Sequence, residues 1–180
     1  MALSETELQE RAAAIQLVVL DVDGVMTDGK ITYTSDGQEI KSFNVKDGLG
    51  ISLGVRAGLH FGIITARQSS IVERRAEELG IQHVKQLTKN KLPAFENLAE
   101  DLGLTMAQVA YIGDDLPDLP PMRRAGFACC PADAATEVRE AAHFVSRHTG
   151  GNGAIREILE LILRSKQANG MEDPALIFKN

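Results

Sequence analysis

The stretch "LVVLDVDGVMTDG", residues 17–29, runs an apolar segment straight into Asp21, Asp23 and Asp28. A short, unbroken apolar run with β-branched residues reads as a strand buried on both faces. Carboxylates directly beyond it stand at the strand's carboxyl end, where open parallel α/β sheets bind their ligands. Asp21 and Asp23 would point to opposite faces of a continuing strand, so they can serve one site only if the chain turns, and Gly24 permits that turn. Asp28 opens the next segment and is expected mainly to shape it.

Working outward, "IQLVVLD", "FGIIT", "VAYIGD", "GFACC" and "HFVSR" read as strands, separated by helical patterns such as "SSIVERRAEEL" and "KLPAFENLAEDL". This alternation predicts a Rossmann-like α/β fold, a parallel sheet with helices on both faces. Ser4 and Glu7 form a capping-box pattern before a short helix.

"GKITYTSDGQEIKSFNV" breaks the rhythm. Its halves alternate apolar and polar residues around Asp36-Gly37, which suits a type I′ turn, so a small β-hairpin is expected after the first strand, about 29–45. A lone hairpin is marginal in water, so Ile31, Tyr33, Ile40 and Phe43 need cover. A neighbouring subunit is the preferred cover, and the hairpin's own domain the alternative. Residues 1–165 are expected to form one domain. A tail over 166–180 would dock through Leu176, Ile177 and Phe178.

With 180 residues, 44% of them hydrophobic, the chain can build one sizeable core. A net charge of -6 argues against a nucleic-acid surface. No stretch reaches the length of a membrane span and the N-terminus lacks a signal pattern, so a cytoplasmic protein is expected. Cys129 and Cys130 are adjacent in an apolar strand, which reads as buried thiols and offers no zinc-type spacing. His60, His83, His143 and His148 show no metal spacing and read as structural or surface residues.

Strand ends bring chemistry together on one edge. The second strand read above closes on Thr65-Ala66-Arg67, and "VAYIGDD" on Gly113-Asp114-Asp115 with Asp118 beyond. Carboxylates facing one another repel unless a cation sits among them, and Mg²⁺ suits hard oxygen ligands beside a phosphate. A carboxylate can attack a phosphoryl group to form an acyl phosphate, which makes Asp21 the candidate nucleophile and Asp23 the candidate general acid and base. Thr65 offers a hydroxyl and Lys91 a fixed positive charge for the phosphoryl oxygens.

"DVDGVMTDG", "ITAR", "NKL" and "GDDLPD", in that order and on those elements, resemble the haloacid dehalogenase superfamily of phosphatases. The hairpin in place of a large cap domain, "FNVKDGLGI" after it and "GGNGAIREILELIL" near the end resemble its members that act on phosphorylated sugar acids. The resemblance spans roughly residues 14–163. It implies that Asp21, the backbone carbonyl of Asp23, and Asp114 hold Mg²⁺, that Thr65 and Lys91 hold the phosphoryl group, and that Asp115 and Asp118 support the ligands from behind. It further implies that Asn44, Val45, Lys46, Asp47 and Gly48 line the substrate pocket, that Arg67 and Arg75 reach the sugar acid's anionic groups, and that four copies assemble with each hairpin closing a neighbour's site. The implied substrate is 3-deoxy-D-manno-octulosonate 8-phosphate, with nine-carbon sialic-type acid phosphates second. Ala66 and Ser52 stand where the resemblance implies glycine and arginine.

Other readings fit less well. "GLGISLG" lacks dinucleotide-binding spacing, and no P-loop motif occurs. A receiver domain would end a middle strand, not the first, on its acceptor Asp. A phosphatase-like activator of a nucleotidyl-sugar synthetase would not need the full set Asp21, Asp23, Thr65, Lys91 and Asp114.

Overall fold

A computed structural model describes residues 3–168 and residue 170 of the chain. From the N-terminus come α1 (Glu5–Ala14), β1 (Leu17–Leu20), β2 (Thr32–Tyr33), β3 (Glu39–Ile40), α2 (Val45–Arg56) and β4 (His60–Ile64). Then follow α3 (Ser70–Leu79), β5 (His83–Lys85), α4 (Lys91–Asp101), β6 (Val109–Ile112) and α5 (Leu119–Arg124). The chain continues through β7 (Phe127–Cys130), α6 (Thr136–Ala141), β8 (Phe144–Val145) and α7 (Ala154–Ala168). Each strand expected from the apolar runs is present. The edge strand β5 is an addition: it has only three residues, none of them fully buried, and so carries little pattern to read.

The main sheet has the order β5-β4-β1-β6-β7-β8, and every pairing in it is parallel. Alternation along the strands divides the core in two. Val18, Leu20, Ala110, Ile112, Phe127 and Cys129 pack under α1, α2, α3 and α7, while Leu17, Val19, Val109, Tyr111, Ala128 and Cys130 pack under α4, α5 and α6. This is the Rossmann-like α/β architecture. The chain leaves β1 for β4 on one side and later returns to β6 on the other, so the topological switch lies at β1.

Local rules set the ends of several elements. Ser4 and Glu7 form the expected capping box at the start of α1. Asp47, buried inside α2, accepts hydrogen bonds from Gly153 N at 3.1 Å and Arg156 N at 2.8 Å and so caps the start of α7. Burial raises the Asp47 carboxyl above its usual range, against those hydrogen bonds. Helix α7 runs through Ala168, past the expected start of the tail, and Leu176, Ile177 and Phe178 lie outside the described residues. Among the described residues no helix is long and apolar enough to cross a membrane.

The hairpin is present, but its turn differs from expectation. Gly37 has φ +85° while Asp36 does not have positive φ, so the type I′ turn, which needs both, is not formed. Gly37 N instead donates to Thr34 O at 3.0 Å and Thr34 N to Gln38 O at 2.9 Å, giving a three-residue loop with the glycine in the left-handed position. Ile31, Tyr33 and Ile40 stay exposed, and Phe43 packs against the core with Arg75 over its ring at 5.7 Å.

The turn after β1 is held from behind by the loop before α7. Gly151 N donates to Val25 O at 2.9 Å, and a Cβ on Gly150 would lie 1.8 Å from Gly24 O, an overlap between backbones that side-chain motion cannot relieve. We expect Gly150→Ala to cost about 2–3 kcal/mol in urea unfolding. Gly37→Ala meets open space and only the positive φ, and should cost about 1 kcal/mol. Equal losses for the two would contradict this close approach.

Candidate active site

The parallel ladder delivers the site. Asp21 N donates to Ile112 O at 3.0 Å, which extends the β1 and β6 pairing by one residue and fixes where the Asp21 side chain emerges. Asp114 leaves the neighbouring strand two residues beyond the end of β6, and Thr65 follows β4 directly. Between them Gly24 turns the chain at φ +97°, and a Cβ there would lie 2.0 Å from Asp114 Oδ2. The glycine thus satisfies two constraints, the turn that redirects Asp23 and the close passage of Asp114.

Lys91, at the first position of α4 and 4% exposed, reaches into this cluster. Its Nζ lies 2.9 Å from Asp21 Oδ1 and 2.7 Å from Asp118 Oδ1. Burial works against the Lys91 charge, but Asp21 and Asp118 outweigh it and hold the ammonium above the ordinary lysine value. Asp118 is fully engaged: Oδ1 also accepts from Tyr111 OH at 2.8 Å, and Oδ2 from Asp114 N at 3.0 Å and Asp115 N at 3.3 Å. Asp115 caps the following short turn through Leu116 N at 2.8 Å. Both residues therefore brace the loop that carries Asp114.

Asp114 itself is unsatisfied, for its buried Oδ1 has no hydrogen-bond partner. Burial first, then the charges of Asp21, Asp118 and Asp115, push its carboxyl up to about 8. Burial and the Asp118 charge push Asp21 up to about 6 against the pull of Lys91. Oxygens of Asp21, Asp114 and Asp118 lie within 4.8 Å of one another. An all-oxygen set with an orphaned carboxylate oxygen and raised proton affinity is suited to a hard cation. The hydroxyl of Thr65 accepts from Arg67 N at 3.4 Å, so its own hydrogen is available to donate.

These groups line a cavity of about 310 Å³ together with Asp23, Ala66 and Arg67. The other residues expected at the substrate pocket are not brought there within the chain. Asn44, Asp47, Gly48 and Arg75 line a separate narrow crevice with Phe43, while Val45 and Lys46 face outward. Two of them serve the fold: Asp47 caps α7, and Arg75 packs so closely on α2 that a Cβ on Gly48 would lie 2.3 Å from its Nη2. Arg67 does stand at the cavity, but paired to Glu39 at 2.7 Å and facing Asp23 Oδ2 at 3.6 Å.

Sequence reasoning missed the hairpin's part in this site. Lys41 makes an ion pair with Asp23 Oδ1 and lies 3.7 Å from Glu39, which also accepts from Ser69 Oγ at 2.9 Å. The signal was present: along an alternating strand Glu39 and Lys41 share one face and Ile40 takes the other. The polar face, not the apolar one, docks on the domain. Asp28 behaves as expected, since Oδ1 accepts from Lys30 N at 3.1 Å and shapes the entry to the hairpin.

Buried strand-end carboxylates, a lysine fixed between two of them and a hydroxyl donor at the switch point of a doubly wound sheet define a phosphohydrolase. Comparison with known proteins agrees. A model of haloacid dehalogenase-like hydrolases matches residues 83–158. The 3-deoxy-D-manno-octulosonate 8-phosphate phosphatase KdsC of Escherichia coli (strain B / BL21-DE3) is 43% identical over 157 residues, 87% of this chain and 84% of the relative. The same enzyme of Yersinia pestis is 46% identical over 154 residues, 86% and 82% of the two chains. The crystal structure of the Moraxella catarrhalis phosphatase of that name, in complex with magnesium ion, phosphate ion and KDO, matches with TM-score 0.91 at 41% identity over 98% of this chain and 99% of that one. A probable YrbI family phosphatase from Pseudomonas syringae matches with TM-score 0.91 at 46% identity, covering 97% and 98%. The chain belongs to this family of haloacid dehalogenase-like phosphatases.

The raised carboxyls make a prediction about stability without metal. An unfolded carboxyl titrates near about 4. Folded Asp114 holds its proton more tightly, so its contribution is nil below that pH and turns increasingly unfavourable as pH rises towards about 8. Metal-free Asp114→Asn should therefore gain Tm over the unsubstituted protein as pH goes from about 5 to about 8, by several degrees at the upper end. A difference independent of pH would contradict the crowding described.

Proposed function

We propose that the chain is a Mg²⁺-dependent phosphatase that releases phosphate from 3-deoxy-D-manno-octulosonate 8-phosphate through an aspartyl-phosphate on Asp21. The observation that carries this reading is the buried bridge of Lys91 between Asp21 and Asp118 beside the unpartnered Asp114 oxygen. It sets Asp21 at the cavity and next to a fixed positive charge, as attack on a phosphoryl group requires.

In the proposed reaction an Asp21 oxygen bonds to phosphorus as the bond from phosphorus to the sugar oxygen breaks. Asp23 gives that departing oxygen a proton. Lys91 and the Thr65 hydroxyl hold the phosphoryl oxygens in place. Asp23 then takes a proton from water as water displaces Asp21 from phosphorus, and phosphate leaves. Asp21, the Asp23 carbonyl and Asp114 would hold Mg²⁺, which supplies neutralisation of the phosphoryl charge when bound. Asp118, saturated by its own partners, and Asp115 support Asp114.

Arg67 is the proposed partner of the substrate carboxylate, because its planar fork can bind both oxygens. The family resemblance and the exposed Ile31, Tyr33, Ile40, Val45 and Leu49 along the hairpin and the start of α2 support a homotetramer. Such an assembly is the proposed route by which Asn44, Val45, Lys46, Asp47, Gly48 and Arg75 could bear on a substrate. Ala66, in the cavity wall where the resemblance implies glycine, is the departure that keeps a nine-carbon sugar acid phosphate as the second reading.

Asp21→Asn should lower kcat by about 10³-fold or more with the protein still folded. EDTA should inactivate reversibly, with Mg²⁺ restoring turnover. In a panel of phosphorylated sugars the eight-carbon acid should give the highest kcat/KM, and a nine-carbon acid ahead of it would select the second reading. Retained turnover in Asp21→Asn would overturn the aspartyl-phosphate reading, and a fully active monomer by light scattering would overturn the tetramer.

A further inference from the structure

One lysine is buried at the site without a role in the reaction as proposed. Lys41 lies on the hairpin, yet its side chain is only 2% exposed. The hairpin's other early lysine, Lys30, is 79% exposed and pairs with Asp28 on the surface. An ammonium taken out of water is costly unless carboxylates receive it. Lys41 finds Asp23 Oδ1 and, at 3.7 Å, Glu39 Oε1.

The two oxygens of Asp23 are thereby made different. Oδ1 accepts from the Lys41 ammonium. Oδ2 lies outside that contact and faces Arg67 Nε at 3.6 Å, too far for a hydrogen bond. A carboxyl with one oxygen pinned as acceptor can carry its proton only on the other. Glu39 anchors the arrangement, since it binds Arg67 and Ser69 from the loop after β4 while standing two residues before Lys41 on the same face of the hairpin.

We infer that Lys41 is a positioning residue that orients Asp23 for proton delivery to the leaving oxygen, and that docking of the hairpin onto its own domain is what installs it. This rests on the reading of Asp23 as the general acid. As the Asp21 oxygen bonds to phosphorus, the bond from phosphorus to the leaving oxygen breaks and its electron pair stays with that oxygen. The proton on Asp23 Oδ2 then transfers to it. The Lys41 ammonium keeps its own protons throughout.

The test is a series of aryl phosphates of graded leaving-group pKa, from p-nitrophenyl to phenyl phosphate, assayed with the full-length Mg²⁺-loaded enzyme. A good leaving group departs with little help from an acid, and a poor one needs it. For Lys41→Met the loss in kcat/KM should grow by about tenfold or more from the first substrate to the last, steepening the leaving-group dependence as in Asp23→Asn. Lys41→Arg, which keeps the charge, should restore much of the original slope. A uniform loss across the series, with the slope unchanged, would make Lys41 a structural contact only and overturn the inference. If Asp23→Asn itself keeps the original slope, the reading of Asp23 as acid fails; if Asp23→Asn steepens it and Lys41→Met does not, the inference about Lys41 alone fails.

Discussion

The bridge of Lys91 between Asp21 and Asp118 is the interaction around which the rest is arranged. Three buried charges in contact would be a liability if any one were missing, because the remaining groups would be left uncompensated out of water. Each is therefore tied to a different part of the fold: Asp21 to the end of β1, Lys91 to the start of α4, and Asp118 to the turn that follows β6. Tyr111, itself packed edge-on against Phe95 at 5.5 Å, adds a hydroxyl to the same Asp118 oxygen. The core thus reaches directly into the site, and a phosphoryl group bound there as proposed would meet charges that do not have to be rearranged.

The structure handles excess negative charge in three ways. Asp118 is neutralised by protein donors on both oxygens, whereas Asp114 is left with a buried oxygen unpaired. The first arrangement ties down the loop, and the second is suited to a cation. Asp23 is treated differently again, for its partners come from the hairpin and the loop after β4 rather than from the core. The groups that would hold phosphate are buried and tied to the core, while the group that would move a proton depends on an element attached at the edge of the domain.

Much of this was legible because the parallel sheet converts sequence order into position. Asp21, Thr65 and Asp114 each follow an apolar run, and Lys91 opens a helix, so placing strands and helices placed these residues on one edge. What escaped the sequence depends on which face of a short element docks. Glu39 and Lys41 sit in an alternating hairpin, where polar residues read as outward, yet they are the inward ones. The family resemblance places Asp47 at the substrate pocket, while its hydrogen-bond partners, Gly153 and Arg156, are more than a hundred residues away in sequence. The strand β5 and the hairpin's three-residue loop were missed for a simpler reason: a three-residue strand has too little pattern, and Asp-Gly suits more than one turn.

The central claim is that Asp21 carries the phosphoryl group between two displacements. Asp23→Asn should separate them, since p-nitrophenyl phosphate can load Asp21 without an acid, but release by water then lacks its base. Rapid-quench mass spectrometry of that variant is the most direct measurement. The account predicts that the peptide containing Asp21 gains the mass of one phosphoryl group within the first turnover and loses it slowly. A peptide that stays unmodified while nitrophenol and phosphate appear together, or a phosphoryl group found on another residue, would contradict it.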